Sequence, residues 1–456
     1  MALRASSLRA GDADGDTGEV HIVHVANFYG PRSGGLRTTM HELGRGYREA
    51  GHRFTMIVPG RGQGTQETEY GTRITLPSLP IVGTGYSFIP IEYAVRRTLE
   101  RLAPDRLEVS DRLTLRRLGV WARKHSIPAV MFSHEKLSDW ILQMAGARLG
   151  SSTSTNAPIA DRLNEASLRN YDRIVCTTEY AAEEFTRLLP GRVSRVPLGV
   201  DLELFNPHRY SERVRRGYLG DGSVLLAHVG RLSPEKAPQR SIQALRELRS
   251  RGVDARLVIA GDGPLRARLE RSAADLPVVF TGFISDRREL ATLLASADVS
   301  VNPGPIETFC LSALEALASG TPVVASASSA LPELITERAG AVAESDGAAF
   351  ADAAQRILSR RNEERRVGAR ERAAEFPWSA TVNGMIRLHE SLSSRSHDSA
   401  PVHAAETLTP PLRAPDSTGT DSTGTASTGT DSGTAGTEPG RVISNDPPAP
   451  SAGVPS

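Results

Sequence analysis

Two doubly wound α/β domains are predicted for this chain, on three observations. Its 456 residues exceed the roughly 250–300 at which one hydrophobic core stays single. Short β-branched runs alternate with helix-period segments along most of the sequence, the rhythm of parallel strands joined by crossover helices. A turn sequence, Pro197-Leu198-Gly199-Val200-Asp201, interrupts that rhythm between two similarly patterned halves and marks a domain boundary.

The first half opens on Val20 to Ala26, an apolar β-branched run suited to a strand buried on both faces. A loop from Asn27 ends in Gly34-Gly35 and passes into a helix whose Leu36, Met40 and Leu43 recur at helical spacing. Gly51 closes that helix, and Phe54 to Val58 is the next strand, which completes a βαβ unit. Leu107 to Ser110 reads as a strand, Leu113 to Lys124 as a helix, and Ala129 to Phe132 as a strand. Ile174 to Thr177 supplies another strand before a helix from Ala181 to Leu188.

The second half repeats the pattern. Its strands read Leu225 to Val229, Arg256 to Ala260, Val278 to Phe280, Val299 to Val301 and Pro322 to Ala325. Helices fall at Arg240 to Ser250, Pro264 to Ala274, Arg287 to Ala295 and Leu311 to Ala318, and an amphipathic helix runs from Trp378 to Leu392. From His397 the composition collapses into Ser, Thr, Gly, Asp and Pro, too poor in apolar surface to offset its ordering entropy, so a disordered, dispensable tail is expected.

Composition narrows the chemistry. A net charge of +1 and 5% aromatic residues argue against nucleic acid as a partner and for a small molecule. Cys176 and Cys310 stand far apart, with neither a disulfide framework nor metal-ligand spacing, which suits a reducing cytoplasm. Met1 to Gly18 lacks the apolar stretch of a signal peptide, and no window approaches the ~18 apolar residues of a membrane span. A cytoplasmic protein, soluble or peripheral at the inner face of the plasma membrane, is expected.

Only three of the fifty-four cationic side chains are lysines. One of them, Lys236, follows Arg231 by five residues after the strand that ends at Gly230. Two permanent cations at a strand's carboxyl end, beside a glycine that admits close approach, suit a diphosphate. Further along, Glu307-Thr308-Phe309-Cys310-Leu311 leads into a helix that carries Glu315. Eight residues at helical pitch do not align two carboxylates. With Glu307 in the loop and Glu315 inside the helix, however, both can accept from diols of one elongated ligand. Gly34 and Gly35 open a helix whose free N–H groups suit an anion, whereas the Gly-x-Gly-x-x-Gly fingerprint of dehydrogenases is missing. His134 lies at another strand's carboxyl end beside Glu135. His21 and His24 read as strand residues, and no cluster has metal spacing.

These residues resemble the retaining GT-B glycosyltransferases of family four, above all the actinobacterial hexosyl- and mannosyltransferases acting on lipids and inositol derivatives. The likeness runs from Val20 to Leu392 through Ser33-Gly34-Gly35-Leu36, Ser133-His134-Glu135, Pro197 to Asp201, Gly230-Arg231 to Lys236, Ala260-Gly261-Asp262-Gly263-Pro264, Glu307 to Glu315, and Ala318 to Val324. It implies two facing Rossmann-like domains. Residues 19–197 would hold the acceptor and 198–376 the donor, with a crossover helix over 377–395, and residues 1–18 and 396–456 lying outside the fold.

The resemblance also implies roles. Arg231 and Lys236 would bind the donor diphosphate, with Gly34 and Gly35 closing over it. Glu307 would meet the transferred hexose, Glu315 the ribose, and Gly282, Phe283 and Ile284 the base, with Thr308, Phe309, Cys310 and Leu311 also binding the donor. His134 would donate to the sugar near the reacting centre. Cys310 departs from the commoner Gly. A metal-free reaction is expected, with GDP-mannose favoured as donor over UDP-glucose and UDP-N-acetylglucosamine, and a glycolipid or inositol derivative as the hydroxyl acceptor.

Rival readings are a nucleotide-sugar epimerase on the same scaffold and a pseudoenzyme that binds nucleotide sugars without transfer. Between Arg96 and Lys124 nine Arg/Lys face four Asp/Glu. That excess suits an anionic membrane or a soluble inositol phosphate, and equally fits a pair of solvated amphipathic helices. The sequence sets no oligomeric state.

Overall fold

The computed structural model describes residues 18–30, 34–81, 86–138 and 157–393, all within one compact unit. The segment before Gly18 and the tail assigned to disorder lie outside the described residues, as does Ser33 of the first glycine loop.

The first half is built on an eight-stranded sheet. Its strands are β1 (His21–Val25), β2 (Arg53–Gly60), β3 (Gly64–Thr68), β4 (Gly71–Pro77), β7 (Arg106–Val109), β8 (Ala129–Ser133), β9 (Arg173–Cys176) and β10 (Val193–Arg195). Their order is β10-β9-β8-β7-β1-β2-β4-β3, and only the pairing of β3 with β4 is antiparallel. A separate ribbon pairs β5 (Leu79–Ile81) with β6 (Tyr86–Phe88). Helices α1 (Gly35–Glu49), α2 (Glu92–Leu102), α3 (Leu118–Lys124), α4 (Ala157–Asn170) and α5 (Glu179–Thr186) connect these strands.

The second half is a six-stranded, wholly parallel sheet in the order β13-β12-β11-β14-β15-β16. Its strands are β11 (Val224–Val229), β12 (Ala255–Ala260), β13 (Val278–Gly282), β14 (Val299–Asn302), β15 (Val323–Ser326) and β16 (Gly340–Ala343). The helices are α6 (Glu212–Leu219), α7 (Gln239–Ser250), α8 (Arg266–Ser272), α9 (Arg287–Ser296), α10 (Leu311–Ala318), α11 (Gly347–Leu358) and α12 (Asn362–Ala374), followed by α13 (Trp378–Ser393).

Burial explains why the strand runs are so apolar. All five residues of β1 are buried. Val23 and Val25 enter one core, Ile22 the other, as the two-residue period of a strand covered on both faces requires. Helix α13 returns to the first half, where Val382, Met385, Leu388 and Leu392 share a core with Met40, Leu43 and Tyr47 of α1. Small residues make that crossing fit: a Cβ at Gly46 would lie 2.3 Å from Val382 Cγ2, and one at Gly199 would lie 2.5 Å from the Trp378 backbone nitrogen. Val200 also bridges to Pro377, so the chain enters and leaves the second half at one place.

Three expectations need correction. The helix read from Leu113 begins only at Leu118, because the Asp111 carboxylate accepts from the N–H groups of Leu113 and Thr114 at 2.8 and 2.9 Å and folds those residues into a turn. The basic stretch 96–124 is not simply a helix pair, since β7 runs between α2 and α3 and buries Glu108 completely. The helix read over Pro264 to Ala274 shortens to Arg266–Ser272. The β3–β4 hairpin went unread because β3, Gly-Thr-Gln-Glu-Thr, is exposed and carries no apolar alternation.

Candidate active site

In each sheet the strand order reverses once among the parallel crossovers, between β1 and β7 and between β11 and β14. The crevice outside the carboxyl ends at such a point is where open α/β sheets bind ligands. Gly230 and Lys236 follow β11 at this place, and Asn302, Pro303 and Gly304 close β14 beside them; together with Glu307 and Cys310 they line one cavity, and Arg231 follows Gly230 on the same loop.

Backbone packing fixes the Arg231 loop. The Gly230 and Leu232 N–H groups donate to Ala260 and Asp262 at 3.0 Å each, and Leu265 N–H donates back to the Leu232 carbonyl at 2.9 Å. That closeness accounts for the glycines of Ala260-Gly261-Asp262-Gly263-Pro264. A Cβ at Gly261 would sit 1.8 Å from the Gly230 carbonyl oxygen, and one at Gly263 would sit 2.5 Å from that of Leu232. Pro234, Glu235 and Lys236 then form a single 3₁₀ turn, which sends the lysine back over the strand ends.

Lys236 Nζ lies 2.5 Å from Glu307 Oε1. Burial works against the ammonium, but Glu307, with smaller help from Cys310 and Glu235, outweighs it and raises the Lys236 pKa, so the lysine is cationic at neutral pH. Arg231 stacks over the Tyr86 ring at 4.8 Å and reaches Glu235 at 3.6 Å. The carboxylate Oε1 of Glu307 also leaves no room for a Cβ at Gly304, which would lie 2.8 Å away.

Glu307 stands in the loop before α10 and Glu315 within it, the arrangement under which both could face one elongated ligand. Glu315 is buried and accepts from Arg287 Nη2 at 3.1 Å. Burial raises its carboxyl to about 6 in spite of that arginine. Arg287 also donates to Thr38 of α1 at 3.3 Å, a bond between the two halves. Gly35 faces the same junction, where a Cβ would meet Leu311 at 3.9 Å, while Gly34 opens on empty space.

Cys310 takes φ +66° at the start of α10, a left-handed conformation that glycine adopts more readily. Its thiol is pushed up to about 12 by burial, so it is a neutral polar contact near Asn302 and Ser312 and no nucleophile. Thr308 and Phe309 are buried. The Thr308 hydroxyl donates to the His134 carbonyl at 2.6 Å, and the Thr308 carbonyl accepts from the hydroxyls of Thr177 and Thr178 at 3.1 and 2.8 Å. His134 is thereby brought against the Glu307–Glu315 segment. Its Nε2 bonds the Ser110 hydroxyl at 2.8 Å, and burial followed by the charges of His24 and Arg112 lowers its pKa to about 3, so the ring is neutral.

The structure therefore brings together Gly35, His134, Arg231, Lys236, Glu307, Thr308, Cys310, Leu311 and Glu315. Gly282, Phe283 and Ile284 lie two strands away at the carboxyl end of edge strand β13, with Phe283 exposed; two strand spacings are about 10 Å. Sequence reasoning missed Tyr86, whose short strand carries no periodic signal. It also missed Arg287, which opens α9 after the N-cap Asp286, and Glu333, whose carboxylate accepts from the Glu179 and Tyr180 N–H groups at 2.8 and 2.6 Å. Among the described residues, no three His, Cys, Asp or Glu side chains are grouped to hold a metal.

Comparison with known proteins agrees with this geometry. Residues 213–374 match the family described as glycosyl transferases group 1, and residues 34–199 match a glycosyl transferase 4-like domain. The chain is 50% identical over 368 residues to a GDP-mannose-dependent alpha-(1-6)-phosphatidylinositol dimannoside mannosyltransferase of Mycobacterium tuberculosis, covering 80% of this chain and 95% of that one. It is 29% identical to a GDP-mannose-dependent alpha-mannosyltransferase of Mycolicibacterium smegmatis, over 82% and 98% of the two chains. Among solved structures, sucrose-phosphate synthase from Thermosynechococcus elongatus superposes with a TM-score of 0.66 at 23% identity, over 82% of this chain and all of that one. At that identity the likeness speaks for the two-domain fold.

Glu315 yields a pH prediction. Its carboxyl, raised to about 6, takes up a proton as pH falls through that value and then loses acceptor sites for a ribose diol. The donor KM should rise below pH 6, by up to about tenfold per unit, and Glu315→Gln should flatten this profile. A donor KM constant from pH 7 to pH 5 in the unsubstituted enzyme would remove Glu315 from the donor site.

Proposed function

The chain belongs to the group 1 glycosyl transferases of GT-B fold, and on that premise we propose that it moves mannose from GDP-mannose, with retention, onto a hydroxyl of a phosphatidylinositol mannoside or kindred glycolipid. The observation that carries this reading is the 50% identity to the M. tuberculosis mannosyltransferase over nearly all of that protein. The cationic and carboxylate residues of the cleft fit a nucleotide sugar as its substrate.

The reaction breaks the bond between mannose C1 and the diphosphate oxygen and forms one between C1 and the acceptor oxygen. The acceptor's proton passes to the departing phosphate on the same face of the sugar. Negative charge grows on that phosphate, and Lys236 and Arg231 are fixed in advance to meet it. Before the donor arrives, Lys236 is held by Glu307. As the diphosphate enters, the ammonium turns to phosphate, and Glu307 is released to accept from mannose hydroxyls. Arg287 similarly yields Glu315 to the ribose. The bonds of Thr308 and Arg287 across the cleft hold the halves closed and keep water from the sugar.

The acceptor's lipid tails place the reaction at a membrane, for which the cytoplasmic face is proposed. No described helix is long and apolar enough to cross one. The surface that would meet lipid is the start of α2, where Ile91 and Tyr93 are 60% and 64% exposed beside Arg97 and Arg101. A cation near an anionic bilayer contributes about 1 kcal/mol.

Two measurements test this reading. In a thermal-shift series, GDP and GDP-mannose should raise the melting temperature where UDP and UDP-glucose do not, by the linkage expected for ligands that bind only the native state. In the same enzyme Lys236→Ala should lower mannosyl transfer about 10²–10³-fold with folding intact. Stabilisation by uridine nucleotides alone would reject GDP-mannose, and unchanged turnover in Lys236→Ala would reject the phosphate role. Separately, sedimentation with vesicles containing phosphatidylinositol should exceed that with phosphatidylcholine alone and fall in Arg97→Ala/Arg101→Ala; equal sedimentation would dismiss the α2 surface.

A further inference from the structure

One contact across the cleft joins a cation of the second half to an aromatic ring of the first. Arg231, on the loop after β11, carries its guanidinium over the Tyr86 ring, 4.8 Å from the centroid, and Tyr86 belongs to the short strand β6 of the first half. Among the described residues, the Arg231 side chain makes no hydrogen bond. Its anionic partner is Glu235, at 3.6 Å between Nε and Oε1, outside hydrogen-bond reach. That same oxygen already accepts from the Ser233 hydroxyl. Arg231, whose side chain is 38% exposed, is therefore directed by the ring more than by its carboxylate.

The ring is itself fixed from behind. Tyr86 pairs with Ile81 in the β5–β6 ribbon, and the carbonyl of the next residue, Ser87, accepts from the Phe28 N–H at 3.1 Å. The Ile89 N–H donates to Asn27 Oδ1 at 2.8 Å, and the Asn27 amide donates to Asp111 and Thr114 at 3.1 and 2.7 Å. The ribbon is thereby tied to the carboxyl ends of β1 and β7. The Phe28 ring meets Tyr86 edge-on, with centroids 6.5 Å apart and planes at 88°. Phe28 does so at φ +58°, a left-handed conformation that a bulky residue keeps only where its surroundings impose it, as at functional sites. Burial raises the Tyr86 pKa against the pull of Arg231 and Lys236. The ring stays a neutral phenol whose negative face meets the cation.

We propose that Tyr86 is a positioning residue for Arg231: its ring holds the guanidinium by the face, so that the in-plane N–H donors fork toward the diphosphate. A cation held this way keeps the donors that match two phosphate oxygens. Without the ring, Glu235 is the partner left to Arg231, and the guanidinium turns to that carboxylate at the expense of phosphate. Because ring and cation belong to different halves, Arg231 is aligned only while the halves meet. The half that does not carry this cation thus decides where it points. The role rests on the proposed nucleotide-sugar transfer for its ligand, a diphosphate, and is indifferent to base and sugar.

Inorganic pyrophosphate carries only the part of the ligand at issue, so the test is its calorimetric titration into the full chain and its variants. Tyr86→Leu should weaken pyrophosphate binding about tenfold, and Tyr86→Phe, which keeps the ring, should stay within about twofold of the unsubstituted protein. Mono-, di- and trifluorinated phenylalanine placed at position 86 should weaken binding step by step, since fluorine drains the negative ring face at nearly constant size. This series also serves if Tyr86→Leu fails to fold. In an Arg231→Ala background, Tyr86→Leu should have no further effect. Binding unchanged in Tyr86→Leu, or indifferent to fluorination, would overturn the proposal. So would a Tyr86→Leu loss that recurs in full without Arg231, or a failure of the unsubstituted protein to bind pyrophosphate. Should the nucleotide series select uridine over guanosine, the pyrophosphate result would stand, and the two failures are distinguishable.

Discussion

The ion pair between Lys236 and Glu307, 2.5 Å apart, sets the electrostatic condition under which the cleft exists. A site meant for a diphosphate concentrates cations, and cations half removed from water are costly unless paired. Here the protein supplies the partners itself: Glu307 for Lys236, Glu235 and the Tyr86 ring for Arg231, and Glu315 for Arg287. Two of these carboxylates are the ones the sequence assigns to sugar and ribose. The proposed exchange therefore moves charges between partners without leaving any group bare, which keeps a strongly cationic pocket compatible with a stable fold.

Everything else serves to hold those charges at one point. The glycines at 261 and 263 exist because the β12 exit runs against the Arg231 loop within backbone hydrogen-bonding distance. The second half reaches the first through Thr308 on the His134 carbonyl, Arg287 on Thr38 and Glu333 on the first turn of α5. The carboxylate of Glu333 also meets the positive end of a helix, which favours that contact. Helix α13 adds apolar packing on α1 and the His389 bond to Glu108. The candidate cleft and the junction between halves are one structure, built by the same short list of side chains.

Much of this was legible in the sequence because its strongest signals are local. Buried parallel strands read as apolar runs, as in His21–Val25 and Val323–Ser326, and Gly230 to Lys236 announces its chemistry by the rarity of lysine. The loop position of Glu307 and the helical position of Glu315 followed from the helix read over Leu311 to Ala318. What stayed hidden depends on tertiary placement. The β3 strand is polar and exposed; Tyr86 sits in a three-residue strand; Arg287 resembles any arginine among fifty others. Glu108 was counted with a basic surface stretch, yet it is buried and ionised beneath the sheet. No periodicity distinguishes a charged residue paired inside from one solvated outside.

Calorimetric titration of GDP into the wild-type protein and into Glu307→Gln tests the exchange of partners most directly. Removing the carboxylate paired with Lys236 should tighten GDP binding about tenfold, the worth of one hydrogen bond to a charged group, while mannosyl transfer falls because the sugar loses its carboxylate acceptor. Equal or weaker GDP binding in a variant that melts at the wild-type temperature would contradict the exchange, and with it the account of how the cleft receives its donor.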